Sequence, residues 1–119
     1  MKTSSAKAKG RRLQQSVCAS LLEIFPQLEP DDITSRGMGQ NGVDVILTPV
    51  ARRIVGDLAI ECKNVESLNV VGVFNKHATR YPKATSVLVH SRNHQQPLCT
   101  VTLKHYLELL QISRKAGRH

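Results

Sequence analysis

GVDVILTPVARRIVGDLAIECKN, residues Gly42 to Asn64, decides the architecture of this chain. Two runs rich in Val, Ile and Leu flank a short segment of Thr, Pro, Ala and Arg. Their β-branched content predicts strands over 43–48 and 54–63, with PVARR (49–53) as a broad hairpin turn. The first run carries Asp44 and the second ends in Glu61, Cys62 and Lys63. Strand parity puts Glu61 and Lys63 on one face and Leu58, Ile60 and Cys62 on the other. Asp44 shares a face with Ile46 and Thr48. Charged residues are rarely buried unless paired or metal-bound. Asp44, Glu61 and Lys63 are therefore either the solvated side of a hairpin or a site.

Outward from this stretch the pattern is mixed. Leu13, Val17, Leu21 and Leu22 recur at helical spacing, flanked by Cys18 and Phe25, and Pro26 stops that helix. EPDDITSRGMGQNG (29–42) reads as a loop with a short strand around Ile33. ESLNVVGVFNKHATRYP (66–82) has strand-compatible valines and Gly72, but Ser67 as a cap and its length before Pro82 predict a helix. TSVLVH (85–90) and LCTV (98–101) read as strands. Thr102 caps a last helix with Leu103, Leu107 and Leu110 in line. The expected fold is α/β, a single mixed sheet of about five strands flanked by helices in the order αβββαββα. The expected organisation is a flexible basic tail over 1–12, one domain over 13–115 and a basic C-terminal tail over 116–119.

Composition narrows the function. The chain has 119 residues, 3% aromatics and no Trp, which disfavours base stacking on aromatic platforms. It has no apolar run of about 18 residues and no signal-peptide pattern, so no membrane role and a cytoplasmic location are expected. Cys18, Cys62 and Cys99 are odd in number and form no C-x-x-C pair, as in a reducing compartment. The formal charge is +8 and the isoelectric point about 9.9. Lys2, Lys7, Lys9, Arg11 and Arg12 precede the first acidic residue, Glu23, and Arg114, Lys115 and Arg118 crowd the other end. Such ends suit a nucleic acid, though solvated termini carry the same composition.

An acid-x-Lys tripeptide means little alone, since about one is expected by chance at ordinary composition. Context gives it meaning. If the two strands pair, Asp44, Glu61 and Lys63 converge at the sheet edge, and two carboxylates there repel unless a cation sits between them. Mg²⁺ or Mn²⁺ takes such oxygen ligands, and the carbonyl of Cys62 adds another. A lysine beside them orients a water or steadies charge on a phosphate. A cross-strand ion pair on a solvated face is the competing account. His90, His94 and Cys99, with His105 as a fourth ligand, form a weaker zinc candidate. RGMGQNG lacks the lysine of a nucleotide-binding loop.

The order of pieces resembles the PD-(D/E)xK nuclease superfamily, especially its Holliday-junction-resolvase-like members and short phage-type nucleases. The matching segments are KGRRLQ (9–14), GVDVIL (42–47) and AIECKN (59–64), followed by a helix and the strand SVLVH. The resemblance implies a restriction-endonuclease-like core and a Mg²⁺-dependent (or Mn²⁺-dependent) DNA endonuclease in the cytoplasm of a prokaryote or phage-infected cell. It implies Asp44 and Glu61 as metal ligands and Lys63 as assistant to the attacking water, beside the Cys62 carbonyl read from the strand itself. Gln14 stands where many such nucleases carry a glutamate, and Val43 where they carry the motif proline. For DNA contact the candidates are Lys7, Lys9, Arg11 and Arg12, with Ser35, Arg36, Lys76 and Arg80. His77, Arg52, Arg53 and Lys83 are supporting candidates, with solvent exposure as the ordinary alternative for Lys76 and His77. A homodimer is expected, through Val70, Val71, Val73 and Phe74, with structure-selective cutting and a place in a larger DNA-processing complex. The rival expectations are an inert nucleic-acid-binding module and a small RNA-associated protein.

Overall fold

Leu13 and Cys18 anchor the apolar side of a long first helix, α1 (Lys2–Ile24), with Val17, Leu21 and Leu22 packed beside them. The computed structural model describes residues 2–37 and 40–117. Arg118 and His119, the end of the expected C-terminal tail, and the Met38–Gly39 pair of the Gly-rich loop lie outside them. The segment expected as an N-terminal tail is the continuation of α1 back to Lys2. Phe25 N–H bonds the Leu21 carbonyl at 3.0 Å to close the helix before Pro26.

A single 3-10 turn (Pro30–Asp32) leads into β1 (Ile33–Ser35), which pairs antiparallel with β2 (Val45–Leu47), Ile33 opposite Leu47. Asp32 fastens this ribbon from outside: its carboxylate accepts from Thr48 Oγ1 at 2.6 Å and from Glu29 N–H at 2.9 Å.

The expected hairpin turn is instead a helix, α2 (Pro49–Val55). Thr48 is its cap, accepting from Ala51 N–H at 3.2 Å, and Pro49 opens it with a preset φ. Gly56 ends it at φ 116°, a conformation that favours glycine. Because a helix intervenes, β2 and the next strand do not form a hairpin. β3 (Leu58–Asn64) pairs parallel with β4 (Thr85–Ser91), and α3 (Val70–Arg80) makes the crossover between them. Asn69, not Ser67, caps α3 by accepting from Gly72 N–H. β5 (Leu98–Thr100) adds antiparallel to β4, and α4 (Leu103–Ala116) follows, capped by Thr102 as expected.

The α/β class holds, but the sheet does not run through. There is a two-stranded sheet, β1-β2, and a three-stranded one, β3-β4-β5. They abut where Asp44 N–H bonds the Ile60 carbonyl at 3.2 Å and the Asp44 side chain takes the next free amide, Cys62 N–H, at 2.8 Å. A carboxylate stands where a continuous sheet would place a backbone carbonyl, so the ladder stops there.

One core joins the pieces. Leu13, Cys18 and Leu28 meet Ile33, Val45 and Leu47 and the inner side of β3, Ile60 and Cys62. Each buried Leu, Ile or Val among them contributes about 1.5–3 kcal/mol by burial. The other side of β3 lies under α3, where Phe74 and His77 are buried. Among the described residues no helix is long and apolar enough to cross a membrane.

Candidate active site

Asp44 enters the site from a sharp approach. Gly42 takes φ 118°, which favours glycine, and Arg36 N–H bonds the Asp44 carbonyl at 2.9 Å to close the 36–44 loop. The Asp44 side chain is buried and both its oxygens are engaged. Oδ2 accepts from Cys62 N–H at 2.8 Å, and Oδ1 accepts from Arg36 Nη2 at 2.7 Å.

Glu61 reaches the same place from the middle of β3. Its Oε2 lies 3.8 Å from Lys63 Nζ and its Oε1 lies 3.3 Å from His77 Nδ1. His77 Nε2 is 2.8 Å from the Ala59 carbonyl. A carbonyl only accepts, so Nε2 donates and Nδ1 is turned to Glu61. Tyr81 packs its ring 5.0 Å from the imidazole and holds that orientation.

These groups line one cleft of about 350 Å³. The loop supplies Arg36, Asn41, Gly42 and Asp44, and β3 supplies Glu61 and Lys63. Helix α3 contributes Val73, Lys76, His77 and Arg80, a single stripe at i, i+3, i+4 and i+7. Arg36, Lys63, Lys76 and Arg80 thus face Asp44 and Glu61, an excess of positive charge fitted to an anion. Among the described residues the buried side-chain nitrogens without a hydrogen-bond partner are Arg36 Nε and His77 Nδ1, and both belong to this cleft. Native interiors seldom tolerate such groups without a functional reason.

Asp44, Glu61, Lys63, Arg36, Lys76 and Arg80 are therefore brought together. Other candidates are not. Gln14 is half-buried on α1 and does not line the cleft. Ser35 is paired with Val45 in the β1-β2 ribbon. Lys7, Arg11 and Arg12 are exposed along α1 and Lys9 is half-buried there, away from the cleft lining. Arg52 caps the end of β2 by donating to the Leu47 carbonyl at 2.9 Å. His77, a supporting candidate on sequence grounds, is buried rather than solvent-facing. It belongs to the cleft itself, and the stripe spacing of α3 is the signal for that place. Asn41 also lines the cleft, and nothing in the loop sequence singles it out.

The donor set fits a hard cation. Asp44 and Glu61 offer carboxylate oxygens, and the Cys62 carbonyl points to the same strand edge as the Cys62 N–H bound by Asp44. The Cys62 thiol is not a ligand candidate: burial, then the nearby Asp44 charge, push it up to about 12, so it stays protonated. No three His, Cys, Asp or Glu side chains converge as a metal cage among the described residues. A cation would thus rely on the two carboxylates with backbone, water or phosphate oxygens, a common arrangement for Mg²⁺. The zinc candidate does not assemble: His90 Nε2 is bonded to Thr100 Oγ1 at 2.8 Å.

A larger cavity of about 470 Å³ lies between the loops that follow β3 and β4, lined by Val65 to Leu68, His90 to Arg92 and Leu98. Its charged groups are only Glu66 and Arg92, without paired carboxylates, so size does not decide here. Comparison with protein-family models, curated proteins and solved structures gives no match to this chain.

Proposed function

We propose that the chain is a divalent-metal-dependent DNA endonuclease of the PD-(D/E)xK type. The observation that carries the reading is the convergence of Asp44 with Glu61 and Lys63 in a cleft rimmed by Arg36, Lys76 and Arg80. Asp44 Oδ1, the Glu61 carboxylate and the Cys62 carbonyl would hold the cation, Mg²⁺ or Mn²⁺. When bound, such an ion polarises a phosphoryl oxygen and makes water a better nucleophile.

The chain's own groups do the rest. Lys63 stands beside Glu61 and orients a water against the phosphorus, and its charge steadies the phosphate as negative charge builds. Lys76 and Arg80 hold the backbone of the bound strand without reading its sequence. His77 props Glu61 from behind while itself fixed by the Ala59 carbonyl. These contacts address phosphates and shape, which supports structure-selective rather than sequence-specific cutting.

A second reading has its own observation. Arg36 occupies Asp44 Oδ1 at 2.7 Å, as expected of an inert nucleic-acid-binding module in which the acid is structural. A panel of branched and linear DNAs incubated with Mg²⁺, with Mn²⁺ and with EDTA separates the two. Cleavage that needs the metal and is lost in Glu61→Gln supports the nuclease. Tight DNA binding with no cleavage of any substrate supports the inert module, and preference for RNA over DNA at fixed salt contradicts the DNA nuclease.

A further inference from the structure

We infer that the cavity of about 470 Å³ beside the active cleft is a nucleobase subsite, taking an unpaired base of the strand whose phosphate lies in the cleft. The strand comes from the nuclease reading, on which the inference rests, and the base from the cavity's own lining.

The two spaces are neighbours on one face of one sheet. Lys63 pairs with His90 across β3 and β4, and His90 pairs with Leu98 across β4 and β5, so the three side chains form one row. Adjacent strands stand ~4.8 Å apart, so the cavity wall begins one strand away from Lys63. The ladder also runs one step past β3, where Val65 N–H bonds the Ser91 carbonyl at 3.1 Å. Val65 thereby follows Glu61 and Lys63 on the same side. Helix α3 repeats the continuity. Val70 lines the cavity and Val73, His77 and Arg80 line the cleft, one stripe at i, i+3, i+7 and i+10. The dimer surface expected on α3 is therefore not presented: Phe74 is buried, and the half-buried Val70 and Val73 face these two spaces.

The lining differs in kind from that of the cleft. The cleft sets Arg36, Lys63, Lys76 and Arg80 against two carboxylates, whereas Glu66 and Arg92 balance each other in the cavity and leave no excess charge for a phosphate. Val65, Leu68, Val70 and Leu98 give apolar walls, and the carboxamides of Gln95 and Gln96 offer both donors and acceptors. An uncharged ring with apolar faces and a polar edge fits that combination, and the base is the only such part of a nucleic acid. Extruded bases are held in this way, between apolar side chains with polar groups on the base edge. The volume falls within the roughly 300–1,000 Å³ of small-molecule sites. The loop carrying the two glutamines is preformed. Ser91 Oγ donates to the Gln95 carbonyl at 3.1 Å, Gln95 N–H bonds the Arg92 carbonyl at 3.1 Å, and His94 is held at φ 60°, uncommon for a residue other than glycine. Unstacking costs least for a base that is already unpaired, so the subsite favours bulged or branched DNA over plain duplex.

The test measures binding of the full chain in EDTA, by fluorescence anisotropy, to a flush DNA duplex and to the same duplex carrying one bulged adenine. Wild type should prefer the bulge on the order of tenfold. Gln95→Ala with Gln96→Ala should keep the flush-duplex affinity and lose the preference. Lys76→Ala with Arg80→Ala should weaken binding of both duplexes and keep the preference. In NMR spectra the side-chain amides of Gln95 and Gln96 should shift with the bulged duplex and not with the flush one. Equal wild-type affinity for the two duplexes, or a preference unchanged in the glutamine double variant, would overturn the inference. So would deoxyadenosine monophosphate alone binding as tightly as the bulged duplex, since the cavity would then serve a free nucleotide. Neither metal nor cleavage enters the measurement, so a chain that shows the preference but never cuts with Mg²⁺ supports the subsite and refutes the nuclease.

Discussion

Arg36 and Asp44 lie eight residues apart in sequence and 2.7 Å apart in space, guanidinium against carboxylate. The bond satisfies a buried acid with a cation of the chain's own making, on the oxygen a metal would need. Arg36→Ala should therefore strand that oxygen. In EDTA the variant should lose about 1–3 kcal/mol of stability, the cost of an unsatisfied buried acceptor. Added Mg²⁺ should restore more of its melting temperature than it adds to wild type. Equal responses of the two proteins to Mg²⁺ in scanning calorimetry would show that Arg36 and the cation do not share Asp44.

The two carboxylates should separate in their stability costs though not in their effect on cleavage. Asp44→Asn cannot serve both neighbours: its oxygen can accept from Cys62 N–H, but its amide then faces the Arg36 guanidinium, donor to donor. A loss of about 1–3 kcal/mol is expected. Glu61→Gln meets only the looser contacts to His77 and Lys63 and should cost under about 1 kcal/mol. Asp44→Asn, Glu61→Gln and Lys63→Ala should each lower cleavage by on the order of 10²–10³-fold or more. Binding of uncut DNA in EDTA should be unchanged or tighter for the two acid variants. Denaturant melts paired with single-turnover assays check both, and near-wild-type cutting by any of the three would refute the site.

Lys76 and Arg80 sit on the exposed side of α3 at the cleft rim. Replacing both with Ala should flatten the log–log dependence of DNA affinity on salt by roughly 1.8, about 0.9 for each phosphate no longer neutralised. Arg53, exposed on α2 and outside the cleft, is the control. Fluorescence anisotropy at several salt concentrations reads the slope. A slope altered equally by Arg53→Ala would mean that charge, not position, is responsible.

Asp32 gives the fold an acid-side signature. The hydrogen bond from Thr48, followed by that from Glu29 N–H, holds its carboxyl below the usual range. A group depressed in the folded state stabilises the protein above its unfolded value, near 4. That contribution fades as pH falls from there through the lower folded value. Asp32→Asn should therefore be less stable than wild type at neutral pH, with the difference shrinking below pH 4 or so. A difference that stays constant down to pH 2 would contradict the assignment.

Much of this was legible residue by residue. The stripe Leu13, Val17, Leu21 and Leu22, the cap Thr102 and the strand parity of Glu61 and Lys63 depend on local spacing, and local spacing survives into the fold. Helix α2 was legible too, in Thr48, Pro49 and Gly56, but seven residues are too few for periodicity to outweigh Val50, Ile54 and Val55. The break in the sheet was hidden for another reason. Pairing β3 with β4 depends on residues more than twenty positions apart, and no pattern within one strand reveals its neighbour. The burial of His77 likewise follows from the partner α3 meets rather than from α3. Helix α4 reads as amphipathic in the sequence, but only the packed chain shows its apolar side turned outward, with Leu103, Leu107 and Leu110 all exposed.

The carboxylate in the ladder also sets a clock. Because Asp44 Oδ2 holds the Cys62 amide, that proton can exchange with solvent only when the seam between the two sheets opens. A single backbone resonance thus reports how often the proposed metal-binding acid leaves its strand. Its exchange rate, followed as cation is added, would distinguish an Asp44 that stays anchored through Oδ2 from one that swings free. The same bond pins alignment: a slip of one residue would offer Cys62 the side chain of Val43 or Val45, neither of which accepts a hydrogen bond.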